Sequence, residues 1–217
     1  YLNSGTGTFV LASSTTLEGR GGMSWSGLLE DLDLDGSEDL FLVNGFYPDT
    51  LFFHDEVKLL RFGVGDGSFR AAPAGNGADF LGTSRASLSA DFDRDGCPDL
   101  LVTGLHGPRL LRGLCPDARA SLRLRLAQPA PNPDAVGARV ELSAGGRRRV
   151  LRWGPYGGGQ LSSFWGERLV GLGAGREAEA VTVTWPGGAR ETFGPLTAGE
   201  LAVLRRGAGR KADDGRR

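Results

Sequence analysis

Apolar and polar residues alternate over short stretches along most of this chain, and glycine, proline or aspartate interrupts each stretch. Met23-Ser-Trp25-Ser-Gly-Leu-Leu-Glu30 and Thr83-Ser-Arg85-Ala-Ser-Leu-Ser-Ala90 read as strands, and Ser121-Leu-Arg-Leu-Arg-Leu126 and Val181-Thr-Val-Thr-Trp185 alternate more cleanly still. Leu40-Phe-Leu-Val43 and Leu100-Leu-Val102 are continuous apolar runs, the pattern of a strand buried on both faces. Hardly any stretch repeats its apolar residues at helical spacing for three turns. The expected fold class is therefore all-β, with short strands and frequent turns. The 36 glycines and 11 prolines in 217 residues agree with that reading.

Two aspartate loops sixty residues apart carry the most specific chemistry. Asp31-Leu-Asp33-Leu-Asp35-Gly36-Ser37-Glu-Asp39 and Asp91-Phe-Asp93-Arg-Asp95-Gly96-Cys97-Pro-Asp99 each place carboxylates at positions 1, 3, 5 and 9 around a glycine at 6. Alternate residues of a nearly extended chain point the same way, so the carboxylates can converge on one hard cation, and the glycine permits the turn that returns the fourth. Solvated acidic turns are the plain alternative, because Asp and Gly are common turn formers. Two loops with the same four carboxylates and the same glycine favour a pair of Ca2+ sites. An EF-hand is excluded: its twelfth position needs a bidentate Glu, and here it is Leu42 or Val102, within a strand-like run. The expected ligands are Asp31, Asp33, Asp35 and Asp39 with the main-chain oxygen of Ser37, and Asp91, Asp93, Asp95 and Asp99 with that of Cys97.

A second feature recurs at the same interval. Asn3-Ser-Gly5-Thr-Gly7-Thr-Phe9 and Phe62-Gly63-Val-Gly65-Asp66-Gly67-Ser-Phe69 both precede a strand that runs into an Asp loop. Strand-built repeats of this size point to propeller blades, whose faces are buried by stacking on neighbours. Two blades cannot close a ring, so the chain is expected to carry the terminal blades of a propeller that is incomplete here. Residues 1–115 resemble the Phe-Gly/Gly-Ala-Pro (FG-GAP, VCBS-type) calcium repeats of the integrin α-subunit family and its bacterial relatives. That resemblance implies calcium at both loops.

From Pro116 the texture changes. Pro129 to Pro133 reads as a loop, and Val136-Gly-Ala-Arg-Val140-Glu-Leu142 as a further strand. The successive segments Asp134-Ala-Val-Gly137-Ala-Arg139-Val140, Gly157-Gly-Gly-Gln-Leu-Ser-Ser163, Val170-Gly-Leu-Gly173 and Val183-Thr-Trp185-Pro-Gly-Gly188 are similar to the ASPIC/UnbV domain, which follows calcium repeats in proteins like cartilage acidic protein. The expected organisation is two calcium-binding blades (1–115), an ASPIC/UnbV-like β domain (116–207) and a disordered tail (208–217).

Cys97 and Cys115 are the only cysteines. If the strand after Asp99 turns around His106 and returns, the two are equidistant from the turn and face each other as a disulfide; the alternative is two buried thiols. Nothing points to catalysis. The two histidines, His54 and His106, fall near turns without a nucleophile in sequence context, and no acid pair stands out. Trp153, Tyr156, Phe164 and Trp165 read either as packing residues or as a shelf for a glycan or a partner protein.

Charge divides along the chain. Residues 1–116 carry 16 acidic and 8 basic side chains and residues 117–217 carry 10 and 17, giving −8 and +7. The Arg147-Arg148-Arg149 triplet reads as a solvated strand or turn, since the interleaved aromatics and fold motif of a nucleic-acid binder are lacking. No run reaches the length of a membrane span. These features together lead to the expectation of a calcium-binding, non-catalytic protein that is secreted or on a cell surface, periplasmic in a bacterium. Its expected role is adhesion or matrix interaction with an extracellular protein or acidic polysaccharide, the alternative being carbohydrate binding or processing.

Overall fold

Each glycine-rich segment forms the tight end of a β-hairpin, and these hairpins organise the first half. In the computed structural model, which describes residues 2–10, 21–46, 55–159 and 162–212, Val64 N–H donates to Ser68 O across Gly65 and Gly67, and Ser4 N–H donates to Thr8 O across Gly5 and Gly7. All four glycines have φ between 80° and 91°, a region closed to most side chains. Leu2–Asn3 and Phe9–Val10 are the strands of one hairpin, Leu59–Gly63 and Phe69–Ala71 those of the other.

The first complete blade is a four-stranded antiparallel sheet in the order Ser24–Glu30, Asp39–Asn44, Leu59–Gly63, Phe69–Ala71. The second has Ser84–Ala90, Asp99–Gly104 and Arg109–Leu111 as three strands of its own. Their faces meet in one core of Leu28, Phe41, Val43, Ala78, Leu100 and Val102. The apolar runs after each Asp loop supply most of it, as continuous burial predicts.

The second half is a β-sandwich. Arg168–Gly173, Ala120–Ala127 and Leu201–Arg205 make one sheet, and Arg147–Arg152, Arg139–Ala144, Ala180–Thr184, Arg190–Phe193 and Arg210–Lys211 the other. Leu122, Leu124 and Leu126 from the first sheet pack with Val140, Leu142, Val181 and Val183 from the second, and Trp153 and Trp185 fill the same core. The described residues contain no helix, and none is therefore long and apolar enough to cross a membrane.

Three expectations need correction. The strand predicted from Val136 begins at Arg139, because Ala135 and Gly137, at φ 55° and 90°, are spent on a turn. The tail expected to be disordered from residue 208 is ordered to 212: Arg210 and Lys211 pair with Thr192 and Glu191, and the Glu191 carboxylate accepts the N–H groups of Gly207 and Gly209. Residues 213–217 lie outside the described residues, as does His54. Finally, the two halves share a sheet. The hairpin Tyr156–Gly159/Ser162–Phe164 adds to the Ser84–Ala90 edge of the second blade, with Gly159 opposite Ala86. A Cβ at Gly159 would lie 2.6 Å from the Ser26 Cβ and 2.7 Å from Arg85 O, so only glycine allows this approach.

Candidate metal centres

The two Asp loops fold alike because their carboxylates serve their own backbones first. Asp33 Oδ1 accepts Asp35 N–H at 3.2 Å and Asp35 Oδ1 accepts Ser37 N–H at 2.7 Å; the matching bonds in the second loop, to Asp95 and Cys97 N–H, are 3.1 and 2.9 Å. Gly36 and Gly96, both at φ 90°, donate to Asp31 Oδ2 and Asp91 Oδ2 at 3.1 Å. The residue at loop position 4, Leu34 or Arg94, also has a positive φ. Asp39 Oδ2 accepts Leu32 N–H and Asp99 Oδ2 accepts Phe92 N–H, which closes each loop on its second residue.

The remaining oxygen of each closing aspartate ties the loop to its blade. Asp39 Oδ1 accepts Gly63 N–H at 2.8 Å, and Asp99 Oδ1 accepts Gly113 N–H at 2.7 Å. A Cβ at either glycine would lie 2.2 Å from a loop carbonyl, Glu38 O or Pro98 O. Sequence reasoning missed Gly113 and saw Gly63 only as part of a glycine-rich turn, not as the partner of Asp39. They recur after both loops, but at different distances, so no fixed spacing marks them.

Carboxylate oxygens of Asp31, Asp33 and Asp39 lie within 4.8 Å of one another, and so do those of Asp91, Asp93 and Asp99. Asp35 and Asp95 fall outside these groups of three; their side chains hold the loop backbone, and Asp95 also accepts from Arg112 at 2.8 Å. Such clusters resist ionisation on their own. Burial pushes the Asp31 carboxyl up to about 6 and Asp39 up to about 7, with neighbouring aspartates adding to both, and burial also raises Asp91.

The test of fit for a cation is an atom that nothing else satisfies. Asp31 Oδ1 and Asp91 Oδ1 are both buried without a hydrogen-bond partner, at the same position in the two loops. A buried carboxylate oxygen left bare is costly, and a divalent ion is the ligand that two such oxygens among aspartates fit. The Cys97 side chain is committed elsewhere: it forms a disulfide with Cys115, Cα to Cα 5.7 Å, so only its main chain is free to serve the loop. The hairpin beneath pairs Leu100 with Leu111, one residue off the register centred on His106 that the sequence suggests.

Arginines complete the electrostatics, and here the sequence reading of the Arg triplet as a solvated strand fails at its third member. Arg149 is not solvated. Only 12% of its side chain is exposed, and Nη1 lies 2.7 Å from Asp31 Oδ2 while also donating to Gly171 O. Arg147 and Arg148 are exposed on the strand as expected, Arg148 paired with Glu141 and Arg147 donating to Asp35 O and Ser37 Oγ. Arg119 pairs with Asp33 at 2.6 Å. The second loop has Arg112, from its own blade and 63% exposed, on Asp93 and Asp95. Strand alternation hid the pattern: residues 147 and 149 share one face, and that face covers the first loop.

The four aromatic residues do not form one shelf. Trp153 is core, 3% exposed, and its Nε1 donates to Asp134 O. Tyr156 packs edge-on against Phe164 at 5.3 Å, under the Arg168 guanidinium, and donates its hydroxyl to Glu167 O. Phe164 and Trp165 are half-buried beside a cavity.

No curated protein matches this chain. Family comparison does: residues 31–102, from the start of the first Asp loop to the strand after the second, match the FG-GAP-like repeat, and residues 128–211 match ASPIC and UnbV. The chain thus carries an FG-GAP-like repeat of propeller-blade strands followed by an ASPIC/UnbV domain.

Proposed function

We propose that this is a calcium-binding, non-catalytic protein of the extracellular space, cell surface or periplasm, in which two structural Ca2+ ions fix the blade loops and the exposed surfaces serve adhesion or matrix interaction. The observation that carries the calcium reading is the pair of equivalent buried oxygens, Asp31 Oδ1 and Asp91 Oδ1, each bare among three convergent carboxylates. When bound, the cation supplies charge balance; Asp31, Asp33 and Asp39, and Asp91, Asp93 and Asp99, would hold it. Calcium near millimolar concentration outside cells suits such sites, and the Cys97–Cys115 disulfide suits an oxidising compartment.

Geometry near the one described histidine supports the non-catalytic reading. His106 Nε2 sits 3.2 Å from Asp55 Oδ1, and Thr83 Oγ1 donates to that same oxygen. A nucleophile would have to bond the imidazole, not the carboxylate behind it. Calorimetric titration with Ca2+, with Mg2+ as control, tests the proposal. Two equivalents are expected, with one lost in each of Asp33→Ala and Asp93→Ala; absence of binding in the unmodified protein would overturn it.

A further inference from the structure

Two cavities share Phe164 and Glu167 as a common wall. The larger, about 340 Å³, lies in the sandwich and is lined also by Arg125, Asp134 and Trp165; the smaller, about 220 Å³, opens beside the second Asp loop, with Arg94, Arg123 and Tyr156 in its walls. We propose that this double cavity binds a carboxylated saccharide of the uronate class, with a pyranose ring on Phe164 and Trp165 and its carboxylate on Arg125.

The argument begins with what the packing leaves unused. Phe164 and Trp165 are half-buried, each offering apolar ring surface to the cavity beside polar groups, the arrangement that accommodates the C–H face of a sugar. The volume is that of a small-molecule site, and its polar groups are few and convergent. Among the described residues, the side chains of Arg125 and Asp134 bond no other protein group. Asp134 can accept from sugar hydroxyls, and the planar guanidinium fork of Arg125 matches a carboxylate in two parallel bonds.

Arg125, in the larger cavity and without a protein partner among the described residues, is what favours an acidic sugar over a neutral one. Glu167 is already occupied by Arg123 at 3.6 Å, and Asp91 belongs to the second Asp loop. The walls together carry Arg94, Arg123 and Arg125 against Asp91, Asp134 and Glu167, a balanced set in which Arg125 is the guanidinium left for a carboxylate. The inference rests on the adhesion reading and deepens it by naming its partner class; Arg125 and Trp165, which its test addresses, lie outside the metal loops.

The experiment is calorimetry on the full chain in calcium-containing buffer, titrating tetragalacturonate and, separately, the neutral maltotetraose. Tetragalacturonate is expected to bind with at least tenfold preference, and Arg125→Gln, an exposed position, to weaken it at least tenfold. Trp165→Ala should abolish binding, with its fold checked by circular dichroism. Arg148→Gln, on the far edge strand, should leave binding unchanged. No binding of tetragalacturonate to the unmodified protein, equal binding of both sugars, or equal loss in Arg125→Gln and Arg148→Gln would each overturn the proposal. Loss of sugar binding in Arg125→Gln with both calcium equivalents retained separates this site from the metal loops.

Discussion

Lys58 is almost wholly buried, and its ammonium is held by four carbonyl oxygens: Asn44 O and Oδ1 at 3.1 Å, Glu56 O at 2.7 Å, and Gly82 O. It ties the end of one blade strand to the short Glu56–Val57/Leu81–Gly82 pair. Lys58→Met would leave those acceptors unpaired in the interior, so a loss of about 3 kcal/mol is expected in urea unfolding. Burial pulls the ammonium down to about 8, whereas the unfolded side chain keeps its proton to about 10.4. Over that window the unfolded state binds more protons. The contribution of Lys58 to stability therefore rises from about pH 8 to about pH 10.4, and unfolding of the Met variant should lack that rise. Gly171 makes a second residue-scale case. A Cβ there would lie 2.2 Å from Asp31 Oδ2 and 2.9 Å from Leu34 Cα, so Gly171→Ala should cost about 1–3 kcal/mol by forcing the sandwich off the first loop. Unchanged thermal stability in that variant would show that the contact is slack.

At the scale of elements, the disulfide and the hairpin beneath the second loop act together. Cys97 and Cys115 enclose the Asp99–Gly104 and Arg109–Leu111 strands, with a sequence separation of 18. Closing a loop of that length restricts the unfolded chain by about 3 kcal/mol. Cys115→Ser is expected to lower the melting temperature and to weaken calcium at the second loop more than at the first, because Cys97 N–H is one of the bonds that shape it. Equal calcium affinity with and without the disulfide would confine its effect to the unfolded state. Most elements were legible in the sequence where side-chain alternation reports burial, as in Ser121–Leu126 and Val181–Thr184, and the Asp loops because their spacing is set by ligand geometry. Tyr156–Gly159 was not legible as a blade strand. Its glycines have no side chains to alternate, and the reason for them, the space taken by Ser26 and Arg85, exists only in three dimensions. The roles of Arg119 and Arg149 were hidden likewise: a long exposed-looking side chain gives no sequence signal of the loop it will cover.

At the scale of the whole molecule, the acidic and basic halves meet, among the described residues, most fully at the first Asp loop. Arg149 and Arg119, both from residues 117–217, lie on Asp31 and Asp33, and Arg168 pairs with Glu30 in the adjoining strand at 2.9 Å. Arg149, Arg119 and Arg70 all lie on aspartates of that loop, and a divalent ion would bring further positive charge to the same carboxylates. Each added positive charge then gains less than the one before, so the arginines and the cation act against each other at this loop while both hold it folded. Arg149→Met, in an Asp93→Ala background so that only the first loop titrates, is expected to tighten calcium by about tenfold, a change of about 1.4 kcal/mol. The same variant without calcium should loosen the sandwich, seen as faster proteolysis in the segment between residues 113 and 119. Arg112→Met should alter the second loop less, because that arginine is exposed and screened by water. Weaker calcium binding in Arg149→Met would reverse the assignment: Arg149 would then serve the ion by aiming Asp31, and the two halves of the chain would bind it together instead of in opposition.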